Sequence, residues 1–252
     1  MLVPTQGLVL HTVPYSESSV VARVFTRDMG LRSYLVKGVR TSRGKVKQNL
    51  LQPLSYLDMT VYENGRGTLQ YVKEMHHRVQ WSSTVNDGAK RAVLFFMDEV
   101  LYKVLREEEP NTGFFDGIVA QLRELNGLDA VGQRAEVGIF PLLFLLYTAR
   151  YLGIEPLDNY AAAEPLFYLK EGRFVSRSWG DVASAESDWV LGSEESALLH
   201  AVCSAWRGAM PLPSMQLTQR HRLIDILLQY FNLHLTDFRN FQSHHVLHAV
   251  LQ

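Results

Sequence analysis

The chain has 252 residues, 47% of them hydrophobic, with a formal net charge of −1, which is material for one large domain or two to three small ones around a sizeable core. Its longest greasy run, IFPLLFLLY at 139–147, falls short of the roughly 18 apolar residues that cross a bilayer. The opening MLVPTQGLVLHT has neither the basic stretch nor the small-residue cleavage site of a secretory leader, so a cytoplasmic protein is expected. A single cysteine, Cys203, excludes an intrachain disulfide and an all-cysteine zinc site. The net charge conceals a division. Residues 1–80 carry eleven Lys and Arg against five Asp and Glu, a sum of +6, and the remainder carries fourteen against twenty-one, a sum of −7. A basic module that meets a polyanion, followed by an acidic body, fits this asymmetry.

From Thr5 to about Arg78 the apolar residues recur with period two. QGLVLHTV, SVVARVFT, RSYLVKG, LSYLDMTVYE and GTLQYVKEM are separated by turn chemistry at Pro14-Tyr15-Ser16, Asp28-Met29-Gly30, a basic loop, and Asn64-Gly65-Arg66-Gly67. Five strands in about eighty residues suit a small barrel that satisfies its own edges. The five-stranded OB architecture fits the count, with an SH3-like barrel as the competitor.

After Asn86 the texture becomes helical. Ala89–Glu109 repeats apolar residues every three or four positions up to Pro110, and Phe114–Leu125 and Gln133–Leu152 follow, the last with Pro141 expected to kink or break it. Residues 158–181 differ, Gly172 in YLKEGRFV marking a hairpin turn. Ser193, followed by Glu194 and Glu195, is expected to cap a helix reaching Trp206. Ser214–Leu233 is another, and Ser243 is expected to cap the last. The fold class expected is α+β and multidomain: an N-terminal five-stranded β-barrel over 1–80, then a mostly α-helical domain over 81–252 with a hairpin insertion at about 158–181.

No constellation for catalysis emerges. His244 and His248 have the i, i+4 spacing of helix metal ligands, but no Glu follows the first in the HExxH manner, and they read as surface or interface histidines. Cys203, three positions after His200 and among Ala201, Val202 and Ala205, reads as a small core residue. His76 and His77 read as solvent-facing, and Glu107–Glu109 as a solvated helix end. GxGxxG, GxxxxGK[ST] and GxSxG are all missing. No enzyme, metal or cofactor is expected.

The chemistry lies in KGVRTSRGKVK. Lys37, Arg40, Arg43, Lys45 and Lys47 place five cations in eleven positions without an acid, and two glycines, a serine and a threonine keep the stretch from being a good helix. Such cations repel one another unless an anion lies between them. With Arg27 and Arg32 just upstream, the loop suits a phosphate backbone, bound by counterion release and without sequence preference. Tyr34, Tyr56, Tyr62 and Tyr71 are candidate stacking faces for unpaired bases, or filling for a small barrel.

The ordered string GLVLHTVPYSESS (7–19), VFTRDMGLRSYLVKGVR (24–40) and LLQPLSYLDMTVYE (50–63), with LGIEP (152–156) and a terminal HHVLHAVL, resembles the RecO family of bacterial recombination mediators. Many members carry a four-cysteine zinc site just after the LGxxP element. This chain has LDNYAAAEPLFYLKEGRFV there, so zinc is not carried over and the hairpin is expected to hold the region by packing alone. The resemblance implies an OB fold and a helical C-terminal domain. It implies binding of single- and double-stranded DNA, strand annealing, and cooperation with RecR in loading RecA onto strands coated by single-strand-binding protein, close to the nucleoid. It places DNA contacts on Lys37, Arg40, Arg43, Lys45 and Lys47, with Arg27 and Arg32 beside them, and contact with the tail of the single-strand-binding protein on the helical domain. The alternative reading is an adaptor whose basic barrel binds an acidic protein partner.

Overall fold

A computed structural model describes residues 1–39, 48–63, 69–106, 109–129, 131–182 and 187–251. Five strands, β1 (Leu2–Pro14), β2 (Val20–Thr26), β3 (Gly30–Val36), β4 (Tyr56–Tyr62) and β5 (Leu69–Val79), close a barrel in the order β1-β2-β3-β5-β4. β3 and β5 pair in parallel and the other ladders are antiparallel. This is the OB connectivity, and the SH3-like alternative falls away.

The long β1 makes closure possible by serving two ladders. Gly7 lies opposite Leu57 on β4 and opposite Thr26 on β2. A Cβ there would lie 2.5 Å from Val24 Cγ1 and 2.9 Å from Met59 Sδ, so only glycine allows the strand to pass this close. The β2–β3 turn uses Gly30 at φ 69°, and the Thr26 hydroxyl donates to the Gly30 carbonyl at 2.7 Å. Alternate residues fill the interior, among them Val9, Val24, Tyr34, Leu57 and Val61.

The barrel is part of a larger compact unit, Met1–Val137. It includes α1 (Ser82–Asn86), α2 (Gly88–Val104) and α3 (Thr112–Gly127). The contacts joining them are aromatic. Phe25 meets Phe114 and Phe115 at 6.1 and 5.4 Å, and Tyr56 stacks on Trp81 at 6.2 Å. Lys90, fully buried, donates through Nζ to Ser83 Oγ and to the carbonyls of Asn126 and Leu128, serving the C-terminal carbonyls of α3. α2 stops at Val104, five residues short of the expected Glu109. Three successive glutamates at a helix C-terminus oppose its dipole, which accounts for the earlier end.

α4 (Arg134–Tyr151) runs through Pro141 as one helix, where a kink or break is expected. An interior proline costs about 3 kcal/mol or more. Ile139, Phe140, Leu142, Phe144, Leu145 and Leu146 are all buried, and at roughly 1.5–3 kcal/mol each their burial outweighs that loss.

The second compact unit is Gly138–Gln252. It holds a hairpin, β6 (Leu166–Tyr168) and β7 (Arg173–Val175), and the helices α5 (Arg177–Val182), α6 (Ser193–Trp206), α7 (Leu217–His234) and α8 (Ser243–Val250). Gly172 turns the hairpin at φ 65°, and a Cβ there would lie 2.3 Å from the Tyr230 hydroxyl. The hairpin is held by more than packing. Asn159 donates to the Phe174 carbonyl and accepts from its N–H, each at 2.9 Å, and Phe167 N–H donates to Ser196 Oγ at 2.9 Å. Ser193 and Ser243 are first helical residues behind Gly192 and Gln242 and not the expected caps, and neither helix has a side-chain cap bond. At the LGIEP element, Glu155 accepts from Arg150 Nε at 2.8 Å and from Arg207 Nε at 3.0 Å. Cys203 is buried, which pushes its thiol up to about 12 and leaves it unreactive.

Candidate nucleic-acid interface

Of the seven cations singled out in the sequence, Arg40, Arg43, Lys45 and Lys47 lie outside the described residues. Lys37 leaves the end of β3 with its ammonium 5.2 Å from the centre of the Tyr71 ring, a cation–π contact. Tyr71 stands opposite Leu35 on β3 and opposite Tyr62 on β4, and Tyr62 stands opposite Leu2 on β1. Leu2, Tyr62 and Tyr71 are 45%, 41% and 40% exposed. A strand-to-strand row of apolar and aromatic side chains thus borders a lysine. The Met1 ammonium, donating to the Glu63 carbonyl at 2.8 Å, adds a cation beside Tyr62.

Two neighbours escape a reading by sequence. Tyr15, 62% exposed, sits in the β1–β2 loop, where Ser18 accepts from Val39 N–H at 2.9 Å and ties the loop to the end of β3. Its only signal is an aromatic residue in a Pro-Tyr-Ser turn. Lys73 is exposed as the extra residue of a β5 bulge, between Val72 opposite Val61 and Glu74 opposite Thr60. Bulges re-aim side chains, and nothing in the sequence marks this one.

The other candidates divide. Tyr34 and Tyr56 belong to the interior. Tyr34 is fully buried with its hydroxyl unpartnered, and burial holds its pKa above the usual phenol range. Arg27 donates through Nε and Nη2 to both carboxylate oxygens of Asp116, each at 2.8 Å. That bond holds the guanidinium pKa up and the Asp116 pKa down. It is the bidentate geometry a phosphate would use, already occupied by a carboxylate of the same chain. Arg32, half-buried on β3, donates to the Leu31 carbonyl at 3.4 Å. Arg78 is bound to Asp58 at 2.9 Å.

His221 and His248 stack at 4.1 Å with ring planes 17° apart, which aims their nitrogens along near-parallel planes and not at a common ion. No group of three or more metal-ligating side chains occurs among the described residues. His77 is half-buried and not solvent-facing, and burial lowers its pKa. No helix among the described residues is long and apolar enough to cross a membrane.

An OB barrel bearing exposed tyrosines beside a lysine, in one chain with a helical unit and a small hairpin, places the molecule among OB-fold proteins with a helical extension. The family model described as recombination protein O N terminal matches residues 1–78. The chain is 30% identical over 247 residues to the DNA repair protein RecO of Phocaeicola vulgatus, covering 98% of both chains. It is 29% identical to the proteins of that name from Christiangramia forsetii and Flavobacterium psychrophilum, covering 99% of each. The chain belongs to the RecO family.

Proposed function

We propose that this chain is a non-enzymatic recombination mediator of DNA repair that binds single- and double-stranded DNA and promotes annealing of complementary strands. With RecR it helps to load RecA onto strands coated by single-strand-binding protein. The names of its relatives support the repair role. The observation that carries the DNA-binding part is the Lys37 ammonium over the exposed Tyr71 ring, beside Tyr62 and three positions before the start of a sequence segment with four more cations and no acid. Backbone phosphates would meet Lys37, Arg40, Arg43, Lys45 and Lys47, and unpaired bases would stack on the tyrosines. Arg27 and Arg32 are secondary contributors. Annealing needs no bond to be made. A surface that lowers repulsion between two phosphate chains and leaves base edges open accelerates pairing.

In this reading residues 1–80 hold the DNA and the helical part, 81–252, receives the tail of the single-strand-binding protein. The test is binding of labelled single-stranded oligonucleotide over a salt series, followed by strand annealing with and without single-strand-binding protein. Affinity that falls steeply with salt and faster annealing are expected. Absence of oligonucleotide binding at low salt would overturn the proposal in favour of an adaptor for an acidic protein.

A further inference from the structure

Two hollows in the first compact unit differ in charge. One, of about 400 Å³, is lined by Asp28, Asp58 and Glu74 among others, and its carboxylates repel a phosphate chain. The other, of about 240 Å³, lies where a 3-10 turn (Gln48–Leu51), the end of β5 and α1 meet. Its walls include Asn49, Gln52, Ser55, His77, Trp81 and Val85, and among the described residues no carboxylate, lysine or arginine lines it. We propose that this second hollow accepts one unpaired base of a bound nucleic-acid strand. The inference rests on the DNA binding proposed above. It adds a site apart from the strand 2–3 face and the loops by which OB barrels ordinarily hold oligonucleotides.

Size, chemistry, position and rigidity each bear on the occupant. The volume is below the roughly 300–1,000 Å³ of pockets for drug-sized ligands and suits a single planar ring system. The amides of Asn49, Gln52 and Gln80 offer both donors and acceptors, the set that the edges of unpaired bases require. Trp81, Val85 and Leu94 supply an apolar wall, and Val85 is 52% exposed, so part of that wall stands in water until something covers it. Asn49 follows Lys47 by two positions, so the cationic segment leads in sequence directly into the lining.

The wall is also stiff. Leu54, buried between the lining residues Pro53 and Ser55, has φ 53°, a region that residues with a Cβ seldom occupy. Its N–H donates to the Val9 carbonyl at 2.7 Å and its carbonyl accepts from Trp81 Nε1 at 2.9 Å, which keeps the strained turn in place. Strain sustained in this way concentrates at ligand sites. His77, another lining residue, keeps a ring nitrogen shut from solvent with no partner, a further cost to the fold at the same hollow.

The test compares, for the full chain, a labelled oligothymidylate with an abasic sugar-phosphate chain of equal length. Val85→Trp fills the hollow from its exposed wall, and Gln52→Ala removes one amide without touching the core. Val85→Trp is expected to weaken oligothymidylate binding about tenfold, the loss of one stacked base, and to leave abasic binding unchanged. Gln52→Ala is expected to give a smaller loss with the same selectivity, and circular dichroism with thermal melting checks that both variants fold. Folded variants that bind oligothymidylate like the wild type, or that lose both ligands alike, would overturn the site while leaving the proposed function intact. A wild-type protein that binds neither chain would overturn the proposed function itself.

Discussion

Cations in the first eighty residues differ in what they face. Arg27 and Arg78 are each closed against a carboxylate of the same unit, Asp116 and Asp58. Lys37 faces the ring of Tyr71 instead, a partner with no formal charge to surrender. A count of +6 weights all three equally, yet only the second kind keeps most of its field for a ligand. Exchanging Lys37, Arg40, Arg43, Lys45 and Lys47 for Glu together attacks that kind at its strongest. Single-strand affinity at low salt is expected to fall about a thousandfold or more, and the slope of log affinity against log salt to flatten by about 3.5, at roughly 0.7 per phosphate contact. Anisotropy titrations at several salt concentrations measure both. Unchanged affinity would place the DNA, if bound at all, elsewhere.

Removing the aromatic half of the surface should act differently on the two forms of DNA. Tyr71→Ala and Tyr62→Ala are each expected to weaken single-strand binding about tenfold, from a stacking contribution of roughly 1–3 kcal/mol per base. Duplex binding should change little, because paired bases are already stacked on one another. Equal losses on both would mean that the tyrosines serve the barrel and not the bases.

How far the sequence disclosed this surface depends on which interactions are local. Strand alternation, turn glycines and helical spacing are short-range, so the barrel, the hairpin at Gly172 and the long helices were readable with ends displaced by a few residues. Which tyrosines face outward was not readable, because Tyr34 and Tyr62 occupy similar alternating strands and their fates are set by barrel curvature and the partner strands. The pairing of Arg27 with Asp116 joins residues 89 apart in sequence and leaves no local signal. Tyr15 and the Lys73 bulge were missed for the same reason. The continuity of α4 through Pro141 shows a local rule overruled by burial.

The carboxylate-bound arginines of the second unit sharpen the comparison from the side of stability. Burial by itself would raise the pKa of Glu155, but the bonds and charges of Arg150 and Arg207 win and lower it. A carboxylate lowered in the folded state stabilises fully above its unfolded value, near 4.5, and loses that contribution as pH falls through the folded value. Glu155→Gln is therefore expected to lower the Tm by a few degrees at pH 7, about the shift that 1 kcal/mol produces in a protein of this size. The two melting curves should converge as the pH falls through and below that folded value. A difference that persists undiminished in acid would show that the side chain acts through packing and not through its charge.

The smallest effect asks whether Arg27 can change sides. Its bidentate bond to Asp116 is exposed to solvent, and exposed pairs of this type are weak, so a phosphate can compete for the guanidinium. Asp116→Asn keeps the shape of the side chain and removes its charge. DNA affinity is expected to rise about two- to threefold, within the range that exposed ion pairs are worth. Adding Arg27→Ala to Asp116→Asn should cancel the gain, whereas Arg27→Ala alone should change affinity little, because the wild-type guanidinium is already engaged. If Asp116→Asn has no effect, or if its gain survives the loss of Arg27, then Arg27 belongs with Arg207 as a part of the architecture. The DNA-binding charge would then reside in Lys37 and the segment that follows it.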